Sequence, residues 1–111
     1  MNHSPRPVHR LLCAFALALG LTATVQAQPA AQQLHNRATA AMCANCHGTD
    51  GRTTEGSAIP SLVGMPKDYM VLQLKAFKDG TRPATVMHQI TKGLTDAQIN
   101  TISSYYAATK R

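Results

Sequence analysis

The sequence predicts a small all-α domain with long loops, on three observations. Capping and stop residues punctuate it at helical spacings, as at Pro66, Gly80, Thr95 and Gln98. No run of alternating apolar and polar residues marks a strand. One five-residue motif, Cys43-Ala44-Asn45-Cys46-His47, sits between a helical stretch and a glycine-rich loop.

The elements follow in order. A first helix is expected from about Ala31 to Ala44, with Leu34, Ala38, Ala41 and Met42 on one face. Its alanines allow close approach of another helix. Residues 48–64 carry Gly48, Gly51, Gly56, Pro60 and Gly64 among serines and threonines, and read as loop. Pro66 suits the first turn of a second helix and Gly80 its end. Tyr69, Leu72, Ala76 and Phe77 make that helix's apolar stripe, with Met70 and Leu74 alongside. Lys75 and Lys78 complement its C-terminal dipole. A short helix is expected over Thr85–Lys92, closed by Gly93. In the last helix Thr95 is the N-cap and Gln98 completes a capping box. Leu94 and Ile99 are spaced as a hydrophobic staple, and Ile99, Ile102, Tyr105 and Tyr106 form the buried stripe.

The N-terminus reads as an export signal. Arg6, His9 and Arg10 are basic, Leu11 to Val25 is almost wholly apolar, and Val25-Gln26-Ala27 offers a cleavage site before Gln28. Residues 1–27 are therefore expected to be a signal peptide and 28–111 a single domain, exported to the periplasm. The apolar run is short for a membrane span and no second one follows. Cys13 would be discarded with the signal. Beyond residue 27 the sequence holds nine Lys/Arg and five Asp/Glu, a net charge of +4. There is no dense basic cluster of the kind nucleic-acid binding needs. The mild excess suits either docking to an acidic redox partner or simple solubility.

Aromatic residues are few and Trp is absent, so a domain this small needs additional apolar mass or a staple. The motif supplies a candidate. C-x-x-C-H is the attachment signal for a c-type haem: two thiols three residues apart add to the two vinyl groups, and the following histidine is held beneath the iron. Cys43 and Cys46 are the covalent anchors on this reading and His47 the proximal ligand. A Cys43–Cys46 disulfide would close only a tiny loop and contribute less.

One axial position remains. The candidates are Met42, Met65, Met70, Met87, His35 and His88. Met42 and Met70 fall on apolar helical stripes, where methionine more often fills core. His35 is too close in sequence to the attachment site. Met87 is favoured because 40 residues separate it from His47, enough chain to pass around the ring; His88 and Met65 remain alternatives.

These residues resemble a small bacterial class I cytochrome c. Cys43-Ala44-Asn45-Cys46-His47-Gly48, Ile59-Pro60-Ser61-Leu62-Val63-Gly64, Tyr69 to Gly80, Arg82 to Met87 and Leu94-Thr95-Asp96-Ala97-Gln98-Ile99 follow the cytochrome c4/c553 pattern in order. Leu74 to Met87, followed by Ile90-Thr91-Lys92-Gly93, is most similar to the haem subunit of flavocytochrome c sulfide dehydrogenase. The resemblance implies a class I cytochrome c fold around one covalent haem c, with His47 and Met87 as axial ligands. It also implies that Pro60 accepts a hydrogen bond from the other nitrogen of His47, that Tyr105 or Tyr106 packs against the alanine face of the first helix, and that Arg82 is a candidate partner for a haem propionate. The function implied is single-electron transfer without catalysis by this chain, as the haem subunit of a complex with an FAD-bearing sulfide dehydrogenase subunit. The alternatives are a free c553-type shuttle and, in another class, a thiol-disulfide protein using Cys43 and Cys46. The last lacks the βαβ pattern such enzymes show. A zinc site is remoter still, because the two thiols and His47 alone give poor tetrahedral geometry.

Overall fold

The structure is a computed structural model that describes residues 29–111. The expected signal peptide, residues 1–27, lies outside the described residues. The chain divides into two units, Met1–Leu34 and His35–Arg111. Of the first, residues 29–34 are described and are helical. The second contains the core and the candidate site.

The described residues are helical and contain no strand, as the sequence predicts. The helices are α1 (residues 29–41), α2 (Ala44–His47), α3 (Lys67–Asp79), α4 (Met87–Lys92) and α5 (Asp96–Ala108), with a 3-10 turn at Thr49–Gly51. The expected first helix is thus two pieces: α1 breaks at Met42–Cys43 and a single new turn, α2, carries the motif.

Local chemistry accounts for the ends. Gly80 closes α3 in the left-handed conformation at φ 76°, its N–H bonded to the Phe77 carbonyl. Thr95 and Gln98 form the reciprocal capping box of α5: Gln98 N–H donates to Thr95 Oγ1 at 3.2 Å and Thr95 N–H to Gln98 Oε1 at 2.9 Å. Leu94 and Ile99, the staple pair, are both buried. The short helix begins at Met87, two residues later than expected, because Val86 has non-helical dihedrals and no side chain caps the turn.

The core consists of Ala40, Met70, Leu74, Leu94, Ile99, Ile102 and Tyr106. It joins the end of α1 to α3 and α5, and α3 packs on both α4 and α5. Two expected faces are rotated. On α1, Ala40 is fully buried whereas Leu34 and Met42 are exposed. On α3, Met70 and Leu74 face the core while Leu72 is 63% exposed. The Tyr106 hydroxyl donates to the Ala40 carbonyl at 2.7 Å, and Gly64 N–H donates to the Tyr106 carbonyl at 2.9 Å. Tyr106 therefore ties the last helix to the first and to the loop.

The loop is anchored at Gly51. Its carbonyl accepts from Leu62 N–H at 2.8 Å, Val63 N–H at 3.3 Å and Ser61 Oγ at 2.8 Å. Gly51 has φ 77°, and a Cβ there would sit 2.6 Å from the Tyr106 ring. Only glycine lets the loop lie flat against that ring at this φ. Asp50 is the one described non-glycine residue with positive φ, at 52°. Its carboxylate accepts from the Tyr105 hydroxyl at 3.0 Å, with Arg37 and Arg52 at 4.0 and 3.9 Å.

Candidate functional site

The break after α1 and the single turn of α2 arrange the motif. His47 N–H donates to the Cys43 carbonyl at 2.9 Å and Cys46 N–H to the same carbonyl at 3.3 Å. Positions i, i+3 and i+4 of a helical turn share one face, so Cys43, Cys46 and His47 project together. All three line a cavity of about 470 Å³. His47 is buried, Cys43 half-buried and Cys46 exposed. The thiols thus run from the interior towards the surface along one side.

His47 Nδ1 lies 2.7 Å from the Pro60 carbonyl oxygen. With Nδ1–H donating to that carbonyl, the proton is placed on Nδ1 and Nε2 is left with its lone pair for a metal. Pro60 reaches this position because the Gly51 carbonyl gathers Ser61, Leu62 and Val63 immediately behind it.

The remaining walls come from the loop, α3, the 82–86 segment and α4. Ile59, Leu62 and Met65 form one side; Tyr69, Met70, Gln73, Leu74 and Phe77 of α3 another; Val86, Met87 and Ile90 a third. This explains the rotated stripe of α3. The helix buries one face in the core through Met70 and Leu74, and turns Tyr69 and Phe77 to the cavity. Arg82 stands at the cavity wall with its guanidinium 4.5 Å from the Phe77 ring centre, donating to Gln73 Oε1.

Of the candidates for the second axial position, Met42, Met65, Met70 and Met87 all line the cavity. Neither His35 nor His88 does. His88 lines a separate concavity with Lys78, Arg82 and Lys92. His47 is accordingly the sole histidine facing the cavity among the described residues.

Burial pushes the Cys43 thiol above its ordinary pKa, partly offset by the neighbouring Tyr106 hydroxyl. A porphyrin fits the donor set: two thiols at one edge, an imidazole with a free Nε2, a thioether, and apolar walls in a cavity within the ~300–1,000 Å³ of ordinary ligand sites. Sequence reasoning missed Gln73, which reads as a solvent-facing helical position but lines the cavity.

Comparison with known proteins agrees with this geometry. The cytochrome c family model matches residues 36–110. The cytochrome subunit of sulfide dehydrogenase from Chlorobaculum tepidum is 44% identical over 64 residues, covering 58% of this chain and 56% of that protein. Cytochrome c4 from Pseudomonas aeruginosa is 33% identical over 103 residues, 93% of this chain and 50% of its own. A thiosulfate dehydrogenase electron acceptor from Thiomonas intermedia is 38% identical over 71 residues, 64% of this chain and 33% of that protein. The chain thus spans between a third and just over half of the length of these curated relatives. A solved cytochrome c4 structure from Acidithiobacillus ferrooxidans superposes with a TM-score of 0.56 at 38% identity, over 60% of this chain and 37% of that one. With the C-x-x-C-H turn opening on an apolar cavity and three-quarters or more of the second unit matched, the chain belongs to the cytochrome c family, as a class I electron-transfer member carrying one covalently bound haem c.

Proposed function

We propose that this chain is a periplasmic electron carrier, acting as the haem subunit of a flavocytochrome c sulfide dehydrogenase-like complex. The haem supplies a one-electron ferric/ferrous couple. Cys43 and Cys46 would anchor its edge, His47 would supply one nitrogen ligand, and Met87 would supply a thioether that favours the ferrous state. Pro60 fixes the orientation of the His47 ring. Arg82, at the cavity wall beside Phe77, would meet a propionate. With His47 and Met87 both bound to the iron, no coordination site would be left for substrate, and the chain would pass electrons without bond chemistry of its own. The signal at residues 1–27 delivers it for haem attachment outside the cytoplasm, and no described helix is long and apolar enough to cross a membrane.

The observation that carries the carrier reading is the cavity that collects Cys43, Cys46, His47 and Met87. The subunit assignment rests on the stretch from Leu74 to Gly93 and on the 44% identity to the sulfide dehydrogenase cytochrome subunit. A free shuttle is the second reading, favoured by the 103-residue alignment with cytochrome c4. Purification from the native source decides between them. A flavoprotein that elutes with the haem absorbance, and whose flavin is oxidised by this haem after sulfide addition, supports the complex. A haem protein that elutes alone at its own mass refutes it and leaves the shuttle.

A further inference from the structure

Helix α4 presents Met87 from its first position, where the side chain packs against the core and the Val86 carbonyl accepts from Gln89 and Ile90 N–H, but no side chain caps that end. The helix has six residues, far too few to be stable alone. Its N-cap, Val86, makes no side-chain capping bond. Residues 82, 83, 85 and 86 immediately upstream are exposed. Downstream the situation is reversed. Thr91 is fully buried, and its hydroxyl donates to the Met87 carbonyl at 2.8 Å, with a longer approach of 3.4 Å to the His88 carbonyl. Valine has nearly the same shape and would fill the same space without a polar group to satisfy. The hydroxyl therefore adds one thing to the site: a side-chain bond to the main-chain oxygen of Met87, one turn away.

We propose that Thr91 is a positioning residue for the axial thioether. Its hydroxyl pins the backbone of Met87 from the buried side and would hold the sulfur towards the iron when haem is bound. The proposal rests on Met87 being the second ligand. Loss of the pin frees the first turn of α4, and the sulfur leaves the iron more often.

The test uses the haem-loaded protein and titrates imidazole, which competes with the methionine sulfur for ferric iron. In Thr91→Val the sulfur-to-iron absorption band is displaced at an imidazole concentration about five-fold lower than in the parent, the factor that one lost hydrogen bond supplies. Thr91→Ser keeps the hydroxyl and drops a methyl, and retains the parental imidazole affinity even where its melting temperature falls. An unchanged imidazole affinity in Thr91→Val, with or without a lower melting temperature, overturns the proposal. So does a Thr91→Ser protein that matches Thr91→Val, which also serves if the valine variant fails to accumulate. Met87→Ala separates the two layers: persistence of the band in that variant removes the ligand assignment itself, whereas its loss together with a silent Thr91→Val removes only the pin.

Discussion

Replacing Gly51 with Ala tests how closely the loop bearing Pro60 is pressed on the last helix. Two costs arise. At φ 77° an L-residue sits in the left-handed region, which costs about 1–2 kcal/mol. The new methyl would also lie 2.6 and 2.8 Å from Tyr106 ring carbons and 3.1 Å from Leu62 Cβ. The ring cannot swing away, because it is 1% exposed and its hydroxyl is bonded to Ala40. Overpacking of this kind costs about 1–3 kcal/mol, so the total is about 2–5 kcal/mol. Gly80→Ala is the matched control. Its φ is 76°, nothing lies within 4 Å of the added Cβ, and only the first cost applies. Guanidinium unfolding of both haem-loaded variants, followed by far-UV circular dichroism, gives the difference directly. Equal losses in the two variants would mean that the loop and Tyr106 are not in contact as described, and the reasoning would fail.

Further outcomes are expected. Met87→Ala lowers the reduction potential and abolishes the sulfur-to-iron band, whereas Met65→Leu leaves both in place; absorption spectroscopy and a redox titration check this. His47→Ala prevents stable holoprotein from accumulating, which a pyridine haemochrome assay of the periplasmic fraction measures. Tyr106 links stability to high pH. Burial raises its phenol above the ordinary value, so the folded state favours the neutral form. That contribution is complete below the unfolded-state pKa of about 10 and is lost progressively as pH rises above it. The fall in unfolding free energy above pH 10 should be shallower in Tyr106→Phe, and parallel curves would contradict the assignment.

The parts of this fold that were legible in the sequence are those where a specific side chain makes a specific local bond. Thr95 and Gln98 define the start of α5, Gly80 the end of α3, and the motif locates the haem, because each depends on short-range chemistry. Face assignments fared worse for a physical reason. Helix α3 is buried on two sides, one against Ile99, Ile102 and Tyr106 and one against the cofactor space, so Tyr69 and Leu72 looked equivalent although only Tyr69 lines the cavity. Helix α1 is alanine-rich, and alanine reports burial weakly; the buried residue, Ala40, was not among those expected. The break at Met42–Cys43 has neither Gly nor Pro to announce it. Proline 60 was reachable only through family resemblance, since nothing local in a glycine-rich loop distinguishes one carbonyl from another.

The partner of the His47 ring is a main-chain oxygen, and that has a lasting consequence. No side-chain replacement at position 60 deletes such an atom; it can only be moved. Substitution at position 60 can therefore leave the imidazole its companion, and the strength of that bond falls to whatever shifts the path of the surrounding backbone. Residues as distant as Gly51 and Ser61 thereby acquire a say in how the imidazole is held, although neither lines its cavity.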